Sequence, residues 1–229
     1  MRILPQSLLF LLLASAADAT IITYVGTRSG LNALGPIDTV DWGTAADETG
    51  SSVPSPYVRT STPSSITTTA IIATGTSNFL IEVEGSFWDG NFSPGDVLLW
   101  TSFNSSPMAL TFSIPIQGIG FQIQRADSGP FTASLTAFGA GNVSFGTVTV
   151  NGTSSAGGGD NTAPFIGVYS NLADIVSISL AVSGVSTDFA INQATLLTSL
   201  NTIPEAGTFA MSGIGFLALM LSRRTLIHR

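Results

Sequence analysis

The chain has 229 residues, with seven arginines and no lysine against fourteen acids, one histidine, no cysteine and a formal net charge of −7. The lack of cysteine removes disulfides, thiolate catalysis and thiolate metal ligation together, and the acidic balance excludes a nucleic-acid partner, whose phosphates it would repel. Charged residues make up only 9%, and the abundance of Ser, Thr, Asn and Gly suits an extracellular β-domain with an uncharged polar surface.

The first segment, 1–19, carries Arg2 as a positive start, an apolar run over 8–14, and the small residues Ala17 and Ala19 at the positions a signal peptidase inspects. It reads as an export signal cut after Ala19. Its apolar core is well short of the roughly 20 residues that a membrane span requires.

Residues 20–202 then form one domain, long enough to bury a sizeable core. Within it Arg28, Arg59 and Arg125 are the only bases against twelve acids, so the domain carries 3 − 12 = −9. Short runs of β-branched and aromatic residues, separated by Gly, Pro, Asn and Ser, predict strands at 21–25, 66–72, 79–84, 97–101, 110–114, 120–124, 131–138, 144–150, 165–169, 175–182 and 189–197. Stretches 26–65 and 151–162 read as loops. Phe121 and Ile123 fall on one strand face with Gln122 and Gln124 on the other, and Val176, Ile178 and Leu180 alternate in the same way with Ile175, Ser177 and Ser179. The pattern predicts an all-β fold, an antiparallel β-sandwich.

The domain is poor in chemistry. Its only potential histidine, His228, lies beyond it, which excludes a Ser-His-Asp triad and any histidine metal site. Glu82 and Glu84, i and i+2 on one strand about 7 Å apart, have a spacing that glycoside hydrolysis uses. A solvent-facing strand edge is the stronger expectation for them. Trp42, Trp88 and Asp89, in Gly- and Asp-rich surroundings, are the candidates for ligand contact, stacking on a sugar ring, whereas Trp100 ends an apolar run and is assigned to the core. Asp89 and Asp96 flank a Gly-rich turn. The loop acids Asp38, Asp41, Asp47 and Glu48, and the pair Asp160 and Asn161, would suit calcium among cations, but follow no EF-hand spacing. No metal site and no cofactor is assigned.

The last segment, 203–229, contains Pro204, Glu205, Gly207, Thr208 and Phe209, an apolar run to Leu221, and then Arg223 and Arg224. An apolar helix with arginines beyond it leaves the C-terminus in the cytoplasm and the body outside. The order Pro-Glu, small residues, apolar helix and arginine pair resembles the PEP-CTERM sorting signal of bacteria with exosortase, with Ala206 where that signal usually has its second proline. The resemblance implies recognition by an exosortase, transient tethering in the inner membrane, and transfer to the cell surface or extracellular matrix. Upstream, Val40-Asp41-Trp42-Gly43, Gly90-Asn91-Phe92, Gly118-Ile119-Gly120-Phe121, and Phe165-Ile166-Gly167-Val168 followed by Asp188-Phe189-Ala190-Ile191-Asn192 resemble the β-sandwich modules found ahead of such signals, the last pair looking like the closing strands of a jelly roll. Two readings of function follow. One is a non-catalytic structural or adhesive protein within extracellular polysaccharide; the other is a carbohydrate-binding module or carbohydrate-active enzyme using acids and tryptophans on the sandwich.

Overall fold

The alternating runs assemble into two antiparallel sheets in the computed structural model, which describes residues 22–43, 50–72, 78–104, 107–184 and 188–198. The export signal expected at 1–19, the sorting segment expected at 203–229 and the acids Asp47 and Glu48 lie outside the described residues. The elements are β1 (Thr23–Val25), α1 (Arg28–Asn32), β2 (Ile37–Val40), β3 (Ser51–Pro54), β4 (Tyr57–Thr60), β5 (Thr67–Ile72), β6 (Asn78–Val83), β7 (Val97–Trp100), β8 (Met108–Ile116), β9 (Gly118–Arg125), β10 (Gly129–Gly139), β11 (Val143–Ser154), β12 (Phe165–Tyr169), β13 (Ile175–Ser183), β14 (Phe189–Ile191) and β15 (Ala194–Leu197).

One sheet runs β1-β12-β9-β14-β7-β6-β3, with β15 pairing both β9 and β2; the other runs β11-β10-β13-β8-β5-β4. Their facing sides enclose one apolar core, in which Phe79, Phe121 and Phe189 of the first sheet meet Leu110, Leu135 and Leu180 of the second. Burying each such side chain contributes about 1.5–3 kcal/mol. In a domain without disulfides, this core and the two hydrogen-bonded ladders carry the stability.

Three departures from the predicted elements have local causes. Stretch 26–65 is not one loop: it holds α1, β2, β3 and β4, short and polar pieces whose periodicity is too brief to stand out. Thr27 caps α1, its Oγ1 accepting from the Gly30 N–H at 3.0 Å. On β13 the register against β8 shifts between Ile175 and Ser177, so Ile175 and Ile178 are both buried and the simple alternation breaks. The predicted strand 189–197 is the third case. It runs along β9 throughout, but Ile191 lies opposite Ile123 and Thr195 opposite Gly120, four steps against three. The extra residue at Asn192–Gln193 is a bulge that divides β14 from β15.

The bulge also changes the neighbour on the other side. β14 pairs β7 there, and β15 pairs β2. A gap therefore opens in the sheet where β2 has ended, at Asp41, and β7 has not begun, at Asp96.

Candidate functional site

Polar side chains from six separate segments converge on that gap. Arg28, Asp41, Ser93, Asp96, Gln122, Asn161, Asn192 and Gln193 line a cavity of about 400 Å³. A second hollow of about 410 Å³ shares Arg28, Gln122 and Asn161 with it and continues past Gly26, Thr27 and Phe165, so the two form one groove across the outer face of the sheet. Its size falls in the range of small-ligand sites, roughly 300–1,000 Å³.

Each lining side chain is held by its element. Leu31 buries α1 against Phe165 and Leu197, which lays Arg28 over the Phe165 ring, 5.9 Å from its centroid. Phe165 lies flat because Gly120 beneath it has no Cβ, which would collide with the ring. The Arg28 guanidinium donates from Nη1 to Thr195 Oγ1 at 2.8 Å and Gln193 Oε1 at 3.2 Å, and from Nη2 to Gln193 O at 2.9 Å and Asn192 Oδ1 at 3.3 Å. Burial pushes its pKa down, while Asp96 and Asp41 act in the opposite sense; it stays charged at neutral pH.

Asn192 is the centre of the network. Buried to 3% exposure, its Oδ1 accepts from the Gln122 N–H at 2.9 Å, and its Nδ2 donates to Asp96 Oδ2 at 2.9 Å and to Gln122 Oε1 at 2.8 Å. Gln122 in turn donates to Asn161 Oδ1 at 2.8 Å and Ala163 O at 3.0 Å. Gln193 donates to Asp41 Oδ1 at 2.5 Å. Asn161 is presented by the loop before β12, which Asn91 anchors by donating to Ser155 Oγ, Thr162 Oγ1 and Asp160 Oδ1. Hydrogen bonds from Thr162 and Asn91 hold the exposed Asp160 carboxyl below its ordinary pKa.

Chemically this is a row of fixed amides and carboxylates around one cation. The guanidinium is already engaged by four acceptors, so what the groove offers a ligand is chiefly carboxylate and amide oxygens with amide N–H groups between them. Neighbouring hydroxyl groups, each donor and acceptor at once, match that pattern.

The ligand-contact candidates from sequence sit elsewhere. Trp42 is fully buried rather than exposed; its indole N–H donates to Asn192 O at 2.8 Å, so it holds the groove's central residue from behind. Trp88, 7% exposed, belongs to the segment between β6 and β7 and packs with Phe92, Leu98 and Ala190. Asp89 is exposed and does not line the groove. Trp100, assigned to the core, is half-buried on the outer face; it donates to Asp188 Oδ2 at 3.1 Å and meets the exposed Phe103 edge-on at 4.7 Å.

Glu82 and Glu84 correct a second expectation. Neither faces solvent: they are buried to 6% and 3% exposure. Glu84 Oε1 accepts from the Gly90 N–H at 2.8 Å, while both Oε2 atoms have no hydrogen-bond partner. Burial pushes both carboxyls up, and neither lines the groove. Among the described residues, no group of three or more acids or histidines is placed to hold a metal ion, and no helix is long and apolar enough to cross a membrane.

No known family's profile and no curated protein matches the chain. Among solved structures, a DUF4465 family protein from Bacteroides caccae is similar at 10% identity over 72% of this chain and 100% of that one, with a TM-score of 0.47. The module CsCBM6-3 from Clostridium stercorarium, solved in complex with cellobiose, is similar at 13% identity over 57% of this chain and 93% of its own, with a TM-score of 0.31. Likeness at this level carries no function across.

Proposed function

We propose that this is an exported, non-catalytic saccharide-binding protein with a jelly-roll-like sandwich body, which holds a neutral polysaccharide at the cell surface or in the extracellular matrix through the groove at Asn192. The observation that carries the reading is the groove's network, in which Asp96, Gln122, Asn161 and Asn192 are fixed by one another, and Gln193 by Arg28 and Asp41, before any ligand arrives. Prior fixing lowers the ordering cost of binding. A net charge of −9 on the domain disfavours polyanionic glycans, and the hydroxyls of a neutral chain suit amide and carboxylate oxygens. Export, recognition by an exosortase and a transient membrane tether rest on segments 1–19 and 203–229 of the sequence.

The test is calorimetric titration of the protein with a panel of neutral oligosaccharides, beside the variant Asp41→Ala/Gln193→Ala. Both side chains line the groove without sitting in the core, so the variant should keep its unfolding temperature and bind at least about tenfold more weakly, the equivalent of about 1.4 kcal/mol. Absence of binding across the panel, or binding that the double substitution leaves unchanged, would refute the proposal.

A further inference from the structure

Three of the four outer edges of the two sheets are blunted. β1 has three residues, β3 has four and ends on Pro54, and β4 has four, carries Arg59 and lies between Pro56 and Pro63. The free side of β2 is closed by the bridge between Thr39 and Thr62, with N–H to O distances of 2.8 and 2.9 Å in the two directions. Short strands, proline and charge are the usual means by which proteins prevent edge-to-edge pairing. β11 has none of them. It runs for twelve residues without a charge or a proline, and among the described residues its outer edge pairs with no strand.

We infer that β11 is a self-association edge, and that its partner is β11 of a second copy of this chain, paired antiparallel about a two-fold axis. The flat part begins after the irregularity at Gly146, where β10 and β11 shift register, and covers 147–153, about 24 Å at the usual rise. Centred on Val150, the pairing sets Val148 against the partner's Gly152, Thr149 against the partner's Asn151, and Thr147 against the partner's Thr153. Pairs of this kind keep each face with its like. Val148 and Val150 pack against the core from the inner side, whereas Thr147, Thr149, Asn151 and Thr153 are exposed on the outer side. The two apolar inner faces would therefore run on into one another, and threonine and asparagine would meet across the outer face.

Charge favours the same partner. The domain carries −9 overall, so two copies repel at most surfaces, yet along this edge there is no charge to repel. Joined there, the two six-stranded sheets become one continuous sheet of twelve strands, with both grooves left open on the other sheet.

The experiment is light scattering on the size-separated full chain in mild detergent, at concentrations from about 1 to 100 μM. The wild type should form a dimer, and Thr149→Lys/Asn151→Lys should be monomeric with an unchanged unfolding temperature, since the introduced ammonium groups at 149 and 151 face each other twice across the axis. A second variant, Thr149→Cys/Asn151→Cys in this cysteine-free chain, should give an oxidised dimer on a non-reducing gel. A wild type that is monomeric throughout overturns the inference. So does a dimer that survives the lysine substitutions, which would place the contact elsewhere, or a monomer whose 147–153 amides resist hydrogen exchange, which would show the edge covered within one chain.

Discussion

Replacing Asn192 by alanine removes a side chain with four hydrogen bonds at a position only 3% exposed. The backbone N–H of Gln122 loses its acceptor in a largely buried strand, a cost of about 1–3 kcal/mol for an orphaned donor. Asp96 loses a charge-assisted bond, and part of that loss is recovered by solvent entering the groove. The sum is about 3 kcal/mol, which for a domain of this size lowers the unfolding temperature by roughly 6–12 °C. Urea unfolding followed by tryptophan fluorescence measures it directly, with an unchanged slope expected because the surface exposed on unfolding hardly changes. Asn192→Asp is the informative companion. It keeps an acceptor for Gln122 but replaces the donor to Asp96 with a second carboxylate, so its loss at pH 7 should be at least as large and should shrink on acidification. A loss below about 0.5 kcal/mol for Asn192→Ala would mean that the amide is simply solvated, the usual behaviour of a surface substitution, and the idea of a groove built in advance would fail.

Two further outcomes are expected. Burial raises Glu82 above its ordinary value of 4.5, so the folded state binds the proton more tightly than the unfolded one, and wild-type stability falls as pH rises from about 4.5 through the folded value. Glu82→Gln cannot ionise and should unfold at a higher temperature than wild type at pH 7, with the gap closing by pH 4; calorimetry showing a gap independent of pH would contradict this. At the other end, Glu205→Ala should leave the C-terminal segment uncleaved and the protein in the membrane fraction, read from its intact mass and fractionation; an unchanged mass and location would remove the sorting proposal.

The strands of the body were legible because their apolar residues recur at period two, as in Phe121 and Ile123, and the structure buries both. Alternation identifies a face but not what lies over it. Gln122 and Gln124 share the outer face of β9, yet Gln122 lines the groove while Gln124 is buried beneath Trp88 and Asn91. The same blindness misplaced Glu82, Glu84 and Trp88, all buried at or beside the irregular segment between β6 and β7, which no periodicity announces. The groove was harder still, since Arg28 and Asn192 meet across 164 positions of sequence. One signal was available: Asn192–Gln193 interrupts a largely apolar run in Phe189 to Leu197, and two amides inside a buried strand call for partners.

The position of β15 bears on how the protein carries load. The chain leaves the described body at Thr198, just after this strand; on the sorting proposal, a pull from the cell surface would enter the sandwich through β15. That strand is no edge: β2 holds it on one side and β9 on the other. Drawn along its length, it must shear two ladders at once, breaking several hydrogen bonds together before it moves, where an edge strand would peel off one bond at a time. On that proposal, tension at the tail would be spread over the interior of the same sheet that carries the groove.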